Sequence, residues 1–275
     1  MAENLELIKC AKRVLGVVPK YSCWQMRCFV FALNHLQPYF DTDIDWMSFP
    51  TRKLENKLNF NEFSEFEVPI DINRIDRDTR HGTRILNEIK EMMEVFIPFE
   101  YVKNGVRKFT AFRFIHRMSL DDNGNLTVYL SNFSVRWALE YQKEKGFLTF
   151  HKDSVLCLSS SYHMNLAMLF GQWYNPRIFK KSIEELIKIL ECPHYTPQNL
   201  EDKILFPAFH EMLNKKECVY AFKYRFVKEK AEGRKGRKGF AEIEFKIYDK
   251  RKSNFYEEFY NDDWQDRVKQ DEQNK

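Results

Sequence analysis

The chain lacks the short motifs that mark several large enzyme classes. It contains no H-E-x-x-H, no G-x-S-x-G and no G-x-x-x-x-G-K-[ST], so zinc hydrolysis, serine acyl transfer and P-loop nucleotide binding have no support. Nor does it contain His-x-His, the pattern with which rolling-circle nickases hold a metal beside a nucleophilic tyrosine. The 13 tyrosines therefore carry no catalytic signal. The six cysteines (Cys10, Cys23, Cys28, Cys157, Cys192, Cys218) form no C-x-x-C pair. Several lie among apolar neighbours, as reduced buried thiols do. The first sixteen residues are broken by Glu3, Glu6, Lys9, Lys12 and Arg13, which neither a secretory core nor a spanning helix would tolerate. A cytoplasmic protein with no membrane partner is the expectation. Two near-motifs also fail. Asp41, Asp43 and Asp45 are spaced like a calcium loop, but Trp46 and Arg52 stand where Gly and Glu are needed. Cys192 and His194 have no second ligand pair at a useful spacing. No cofactor or metal is expected.

A length of 275 residues implies two domains at about 150 residues each. Hydrophobic residues make up 44% and aromatic residues 16%, 25 of them Phe, which is enough for packed cores despite the charge content. Apolar residues from Trp24 to Leu36 mark a helix ended by Pro38, and Ile85, Leu86, Ile89, Met92, Met93 and Phe96 mark the face of another from about Asp78. Phe99 to Tyr101, Arg107 to Met118 and Leu126 to Ser131 read as strands with turns at Asn104-Gly105 and Asp122 to Asn125. Residues 39–66 read poorly. The second half repeats the order: helices from Tyr162 to Trp173 and Ser182 to Leu190, then one opening at Thr196-Pro197 with Thr196 as N-cap. That helix buries Leu200, Ile204, Leu205, Ala208, Phe209, Met212 and Leu213, and strands Cys218 to Val227 and Phe240 to Tyr248 follow. Placing Ile85-Leu86 beside Ile204-Leu205, 119 residues on, suggests a duplicated fold. The expected class is α+β, two tandem winged-helix domains, each a three-helix core with a β-hairpin wing. The expected boundaries are 1–150, 151–252 and an acidic tail over 253–275.

The net charge of +4 is too small to argue for a polyanionic partner, so local charge has to decide. Between Lys223 and Gly239 eight basic residues face two acids. Arg225, Arg234, Lys235, Arg237 and Lys238 are candidate phosphate contacts, with Gly233, Gly236 and Gly239 allowing close approach. The preceding helix offers Gln198, Asn199 and Lys203 opposite its apolar face, residue types that read base edges. In the first half Arg74, Arg77, Arg80 and Arg84 crowd the matching helix start and suit backbone contact. Residues 253–275 hold seven acids against Arg267, Lys269 and Lys275, the composition of a solvating end or a partner-binding motif.

Leu200 to Asn214, LEDKILFPAFHEMLN, resembles the recognition helix of the theta-type plasmid replication initiators, the Rep proteins that bind repeated origin sequences called iterons. Leu205, Pro207, Ala208, Glu211 and Asn214 carry the likeness, with Asn214 shifted by one residue. Ser160-Ser161-Tyr162 with Leu166 and Leu169, Phe179 to Leu186, and the closing Ala241 to Ile247 are also similar to that family. The resemblance implies that the second domain reads the iteron's major groove and that the first contacts adjacent duplex and mediates dimerisation. It further implies monomers that start replication, dimers that repress their own gene, and recruitment of the host initiator and helicase without DNA cutting. Where the family sets two or three basic residues, this chain has Glu201, Asp202 and Lys203, so only Lys203 carries over. The wing is then expected to supply much of the affinity and the helix's first turn the specificity. A nickase or nuclease targeted by a winged helix, or a tandem winged-helix transcription regulator, remains the alternative.

Overall fold

Ser22 opens the first long helix, α1 (Cys23–His35), with a capping box: its Oγ accepts from Gln25 N, and Gln25 Oε1 accepts from Ser22 N at 2.9 Å. The computed structural model describes residues 7–11, 21–39, 65–75, 82–103, 106–122, 125–139, 147–172, 177–228, 240–262 and 264. Its two compact units are Leu7–Thr149 and, together with Met1–Glu6, Phe150–Lys275.

The first unit runs β1 (Leu7–Ala11), α1, β2 (Glu65–Ile70), α2 (Ile72–Ile75) and α3 (Gly82–Met93). It continues through β3 (Phe96–Lys103), β4 (Val106–Arg113), β5 (Ile115–Leu120), β6 (Leu126–Ser131) and α4 (Asn132–Leu139). β7 (Phe147–His151), which pairs with β1, holds the boundary. Phe29 of α1 meets Phe114 edge-on at 4.7 Å and Trp137 of α4 at 6.2 Å, all three being buried. Gln25 Nε2 donates to Glu88 O at 2.7 Å and Arg27 to Ile75 O at 2.6 Å, tying α1 to α3 and α2. The expected strand Arg107 to Met118 is in fact two strands. Fully buried Phe114 breaks the run, leaving β4 paired with β3 and β5 paired with β6 in a separate sheet of order β2-β6-β5.

The second unit runs α5 (Lys152–Leu156), α6 (Ser161–Gln172), β8 (Ile178–Ser182), α7 (Ile183–Ile189) and α8 (Pro197–Leu200). A π-helical turn (Glu201–Leu205) joins α8 to α9 (Phe206–Asn214), and β9 (Tyr220–Lys228), β10 (Phe240–Asp249) and α10 (Phe255–Tyr260) follow. Its core is a phenylalanine cluster in which Phe170 lies 4.8 Å from Phe222 and Phe179 stacks on Phe245 at 5.1 Å. Burying each such ring contributes about 1.5–3 kcal/mol.

Both units follow one order: helix, strand, helix, helix, strand, strand, with the last strand in the middle of a three-stranded sheet, β2-β6-β5 in one and β8-β10-β9 in the other. This is the winged-helix arrangement, and the α+β class stands. The first unit inserts the β3–β4 hairpin between its third helix and its wing strands. The duplication is real at the level of topology, but the offset needs correcting by one residue. Buried Ile85, Ile89 and Met92 match buried Leu205, Phe209 and Met212 at 120 (205 minus 85), whereas Met93, the partner expected for Met212, is only half-buried.

The tail begins inside the fold rather than beyond it. Phe255 and Phe259 of α10 are buried, and Phe259 packs edge-on against Tyr248 at 4.9 Å and stacks with Phe209 at 6.2 Å.

Candidate nucleic-acid interface

Three local features set the third helix of the second unit. At its start, Thr196 Oγ1 accepts from Asn199 N at 3.2 Å, and Pro197 fills a first-turn position whose N–H has no intrahelical acceptor. In its middle stands Pro207, which has no N–H to give and whose ring would clash with the Lys203 carbonyl in a regular α-helix. The π turn just before it opens that ring of backbone, and Phe206 N–H bonds to Glu201 O, five residues back. At its end, Lys250 Nζ donates to the carbonyls of Met212 (2.9 Å), Leu213 (2.9 Å) and Lys215 (2.6 Å), a cationic cap on the negative helix terminus. The lysine is half-buried, and desolvation lowers its pKa from the ordinary value.

Glu211 fixes the helix against the start of α6, accepting from Ser159 N at 2.8 Å and sharing a 2.5 Å hydrogen bond with His163 Nδ1. Burial pushes this carboxyl up, yet the hydrogen bonds from His163 and Ser159 outweigh it and hold the pKa below the ordinary value. Ser159 and His163 flank Ser160-Ser161-Tyr162, so that stretch and Glu211, both part of the family resemblance, lie close in space.

The helix presents the expected polar edge. Gln198 and Lys203 are exposed and Asn199 is half-exposed, while Leu200, Ile204, Leu205, Ala208, Phe209 and Met212 are buried; Leu213 is only partly so. Lys203 Nζ lies 5.5 Å from the Tyr195 ring centroid. The two acids that would repel phosphate have partners within the protein. Asp202 Oδ2 accepts from Gln198 Nε2 at 2.7 Å, and Glu201 Oε1 accepts from Tyr224 OH at 3.5 Å.

The wing joins β9 to β10, and Arg234, Lys235, Arg237 and Lys238 lie outside the described residues, as do Arg77 and Arg80 and the calcium-like run at Asp41. Arg84 is exposed on α3, its guanidinium 4.7 Å from the Trp24 ring centroid. Arg225, expected on phosphate, is engaged elsewhere. Its Nε donates to Glu244 Oε2 at 2.6 Å, and its guanidinium lies 4.2 Å from the Trp264 ring centroid. Sequence reading missed these partners because they come from the facing strand and from the tail.

Among the described residues no group of three or more His, Cys, Asp or Glu side chains could hold a metal ion. None of the described helices is long and apolar enough to cross a membrane. All six cysteines are free thiols; Cys10, Cys28, Cys192 and Cys218 are buried, and desolvation pushes the Cys28 pKa up to about 12.

The fold and this helix-plus-wing geometry define a tandem winged-helix protein. No protein-family model and no curated protein matches the chain. Among solved structures it is similar to the Pi initiator protein crystallised in complex with iteron DNA, with a TM-score of 0.60 at 17% identity over 91% of this chain and 100% of that one. Domains 2 and 3 of RctB give a TM-score of 0.35 at 12% identity over 66% of this chain and 74% of that one. The fold is that of the Pi initiator.

Proposed function

We propose that the chain is a plasmid replication initiator that binds repeated origin sequences on double-stranded DNA and does not cut them. The observation that carries this is a fold shared with a DNA-bound initiator along that protein's whole length. It is supported by a third helix whose exposed edge bears Gln198, Asn199 and Lys203 beside a hairpin with a strongly basic sequence. In this reading the second unit, from about residue 151, reads the iteron's major groove with the first turn of its third helix. Arg234, Lys235, Arg237 and Lys238 clamp phosphates, and Arg77, Arg80 and Arg84 of the first unit grip neighbouring backbone. Monomers start replication with the host initiator and helicase, and a homodimer represses the chain's own gene.

The division of labour gives the test. Footprinting of the purified protein on its own plasmid should protect repeats beside its gene. Neutralising Lys235 and Lys238 should weaken binding to every sequence and flatten the salt dependence by about one unit per lost phosphate contact. An unchanged slope removes the wing from the interface. Asn199→Ala or Lys203→Ala should relax preference at particular base pairs by about 1–3 kcal/mol, and uniform loss across sequences would argue against base reading there. Relaxation of supercoiled origin DNA by the protein with Mg²⁺ would replace this reading with a nickase.

A further inference from the structure

The outer face of the wing sheet sets like charges against one another. The register places Lys246 opposite Lys223 and Glu244 opposite Arg225, and like charges directly across a strand pair are destabilising. Arg225 and Glu244 satisfy each other. The lysines are satisfied by the tail. Asp262 Oδ2 accepts from Lys246 Nζ and, at 2.5 Å, from Tyr248 OH; its backbone oxygen accepts from Lys223 Nζ at 3.4 Å, and its Oδ1 accepts from Trp264 N at 2.9 Å. The Trp264 ring lies 4.2 Å from the Arg225 guanidinium and 5.6 Å from Lys246 Nζ.

What the tail places on this face is a carboxylate oxygen on a lysine and a flat ring against a guanidinium. Those are the two recognition features of a nucleotide unit, a phosphate and a stacked base. In sequence, the strand that carries Lys223 and Arg225 is followed by the basic segment 229–239. Phe255 and Phe259 anchor α10 in the core, and Asp262 and Trp264 are thereby tethered beside the cations at high effective concentration.

We propose that Asp262 and Trp264 are a built-in competitor for a nucleic-acid backbone site formed by Arg225 and Lys246, with buried Lys223 beneath them, so that the tail suppresses binding to DNA of arbitrary sequence. Only the identity of the polyanion rests on the function proposed above. Covering the strip removes sequence-independent contacts and raises the ratio of specific to non-specific binding.

The test compares the full chain with Asp262→Asn/Trp264→Ala, with Trp264→Ala alone, and with a distal control, Asp271→Asn/Glu272→Gln. Each is titrated against an unrelated duplex and, separately, against the origin repeat, across a salt series. The double variant should bind the unrelated duplex about tenfold more tightly, with a salt slope steeper by about two. Trp264→Ala alone, which keeps the Asp262 ion pair, should gain about two- to threefold by freeing the Arg225 face. Adding Lys246→Gln should abolish the double variant's gain while leaving the parent unchanged. Equal binding by parent and both tail variants overturns the proposal, and so does an equal gain from the distal control, which would assign the effect to net charge. Failure of the parent to bind the origin repeat would instead overturn the initiator reading, since the unrelated-duplex measurements still report on the strip.

Discussion

The two units meet the same electrostatic problem on their sheets and solve it differently. In the first, Arg117 and His116 of β5 are held by Glu65 of β2. The carboxylate bonds His116 Nε2 at 2.7 Å and pairs with the Arg117 guanidinium, which also lies 3.4 Å from the Tyr129 ring centroid. In the second, Lys246 and Lys223 are held by Asp262, beyond the last helix. The first neutralising acid belongs to the sheet itself, whereas the second hangs from a tether. A carboxylate inside the hydrogen-bonded ladder leaves only when the sheet unfolds, while one on a tail can leave while the fold stays intact. One topology has been given a permanent counter-charge and a removable one.

The largest effects should show that each unit has its own core. Trp137→Ala in the first and Phe170→Ala in the second should each cost about 3–5 kcal/mol, read from hydrogen exchange of the buried amides of the unit that carries the change. A loss under about 1 kcal/mol would mean that the ring is not central to its core. Lys250→Met should follow at about 1–3 kcal/mol, because it strips the hydrogen-bonding cation from the carbonyls that end the third helix of the second unit. Exchange protection should fall first at Met212 to Asn214, and unchanged protection there would deny the cap its role. Glu65→Gln should cost about 1–2 kcal/mol by leaving a buried amide poorly matched to part-buried His116 and exposed Arg117. If Glu65→Gln proved as harmless to folding as Asp262→Asn, the contrast between built-in and tethered acids would collapse.

The smallest effect is a pH response confined to the tail. Asp262 is partly buried, which raises its pKa, but hydrogen bonds from Lys246, Tyr248 and Trp264 N more than offset this and bring it down to about 2. A depressed carboxyl adds stability that is present above its ordinary pKa near 4 and is lost as pH falls through its folded value. The Trp264 indole resonance should therefore stay in its docked position down to about pH 4 and move toward the free position as pH approaches about 2. Release at pH 6 would show that the clasp depends on some other group.

The parts of this structure that were legible in the sequence are those fixed locally. Thr196, Pro197 and the apolar positions from Leu200 to Met212 announce the third helix, because capping and one-sided burial act within a few residues of one another. The β9 and β10 runs are long enough to declare themselves. β8 and β2 were not legible, because each is a short strand whose pairing comes from β10 or β6 far along the chain. The break at Phe114 was hidden because a buried phenylalanine suits a strand as well as a junction between sheets. The true partners of Arg225 were hidden for a similar reason, since Glu244 faces it only through the hairpin register and Trp264 only once α10 has docked. Composition described the tail as an acidic solvating end or a partner-binding motif, yet Phe255 and Phe259 are what bring its first part into the core.

The π turn ahead of Pro207 also bears on which way the start of the helix faces. One surplus residue in a helical turn rotates everything before it by about 100° relative to everything after, since an α-helix advances 3.6 residues per turn. Gln198 and Asn199 thus sit on a dial set separately from the buried stretch Phe206–Asn214. Removing one residue between Glu201 and Leu205 would rotate this exposed first turn relative to Phe209 and Met212, but would also restore the clash of the Pro207 ring with the carbonyl four residues before it. The direction in which the helix's first turn faces is therefore set by the length of this one turn, independently of the residues that pack the core.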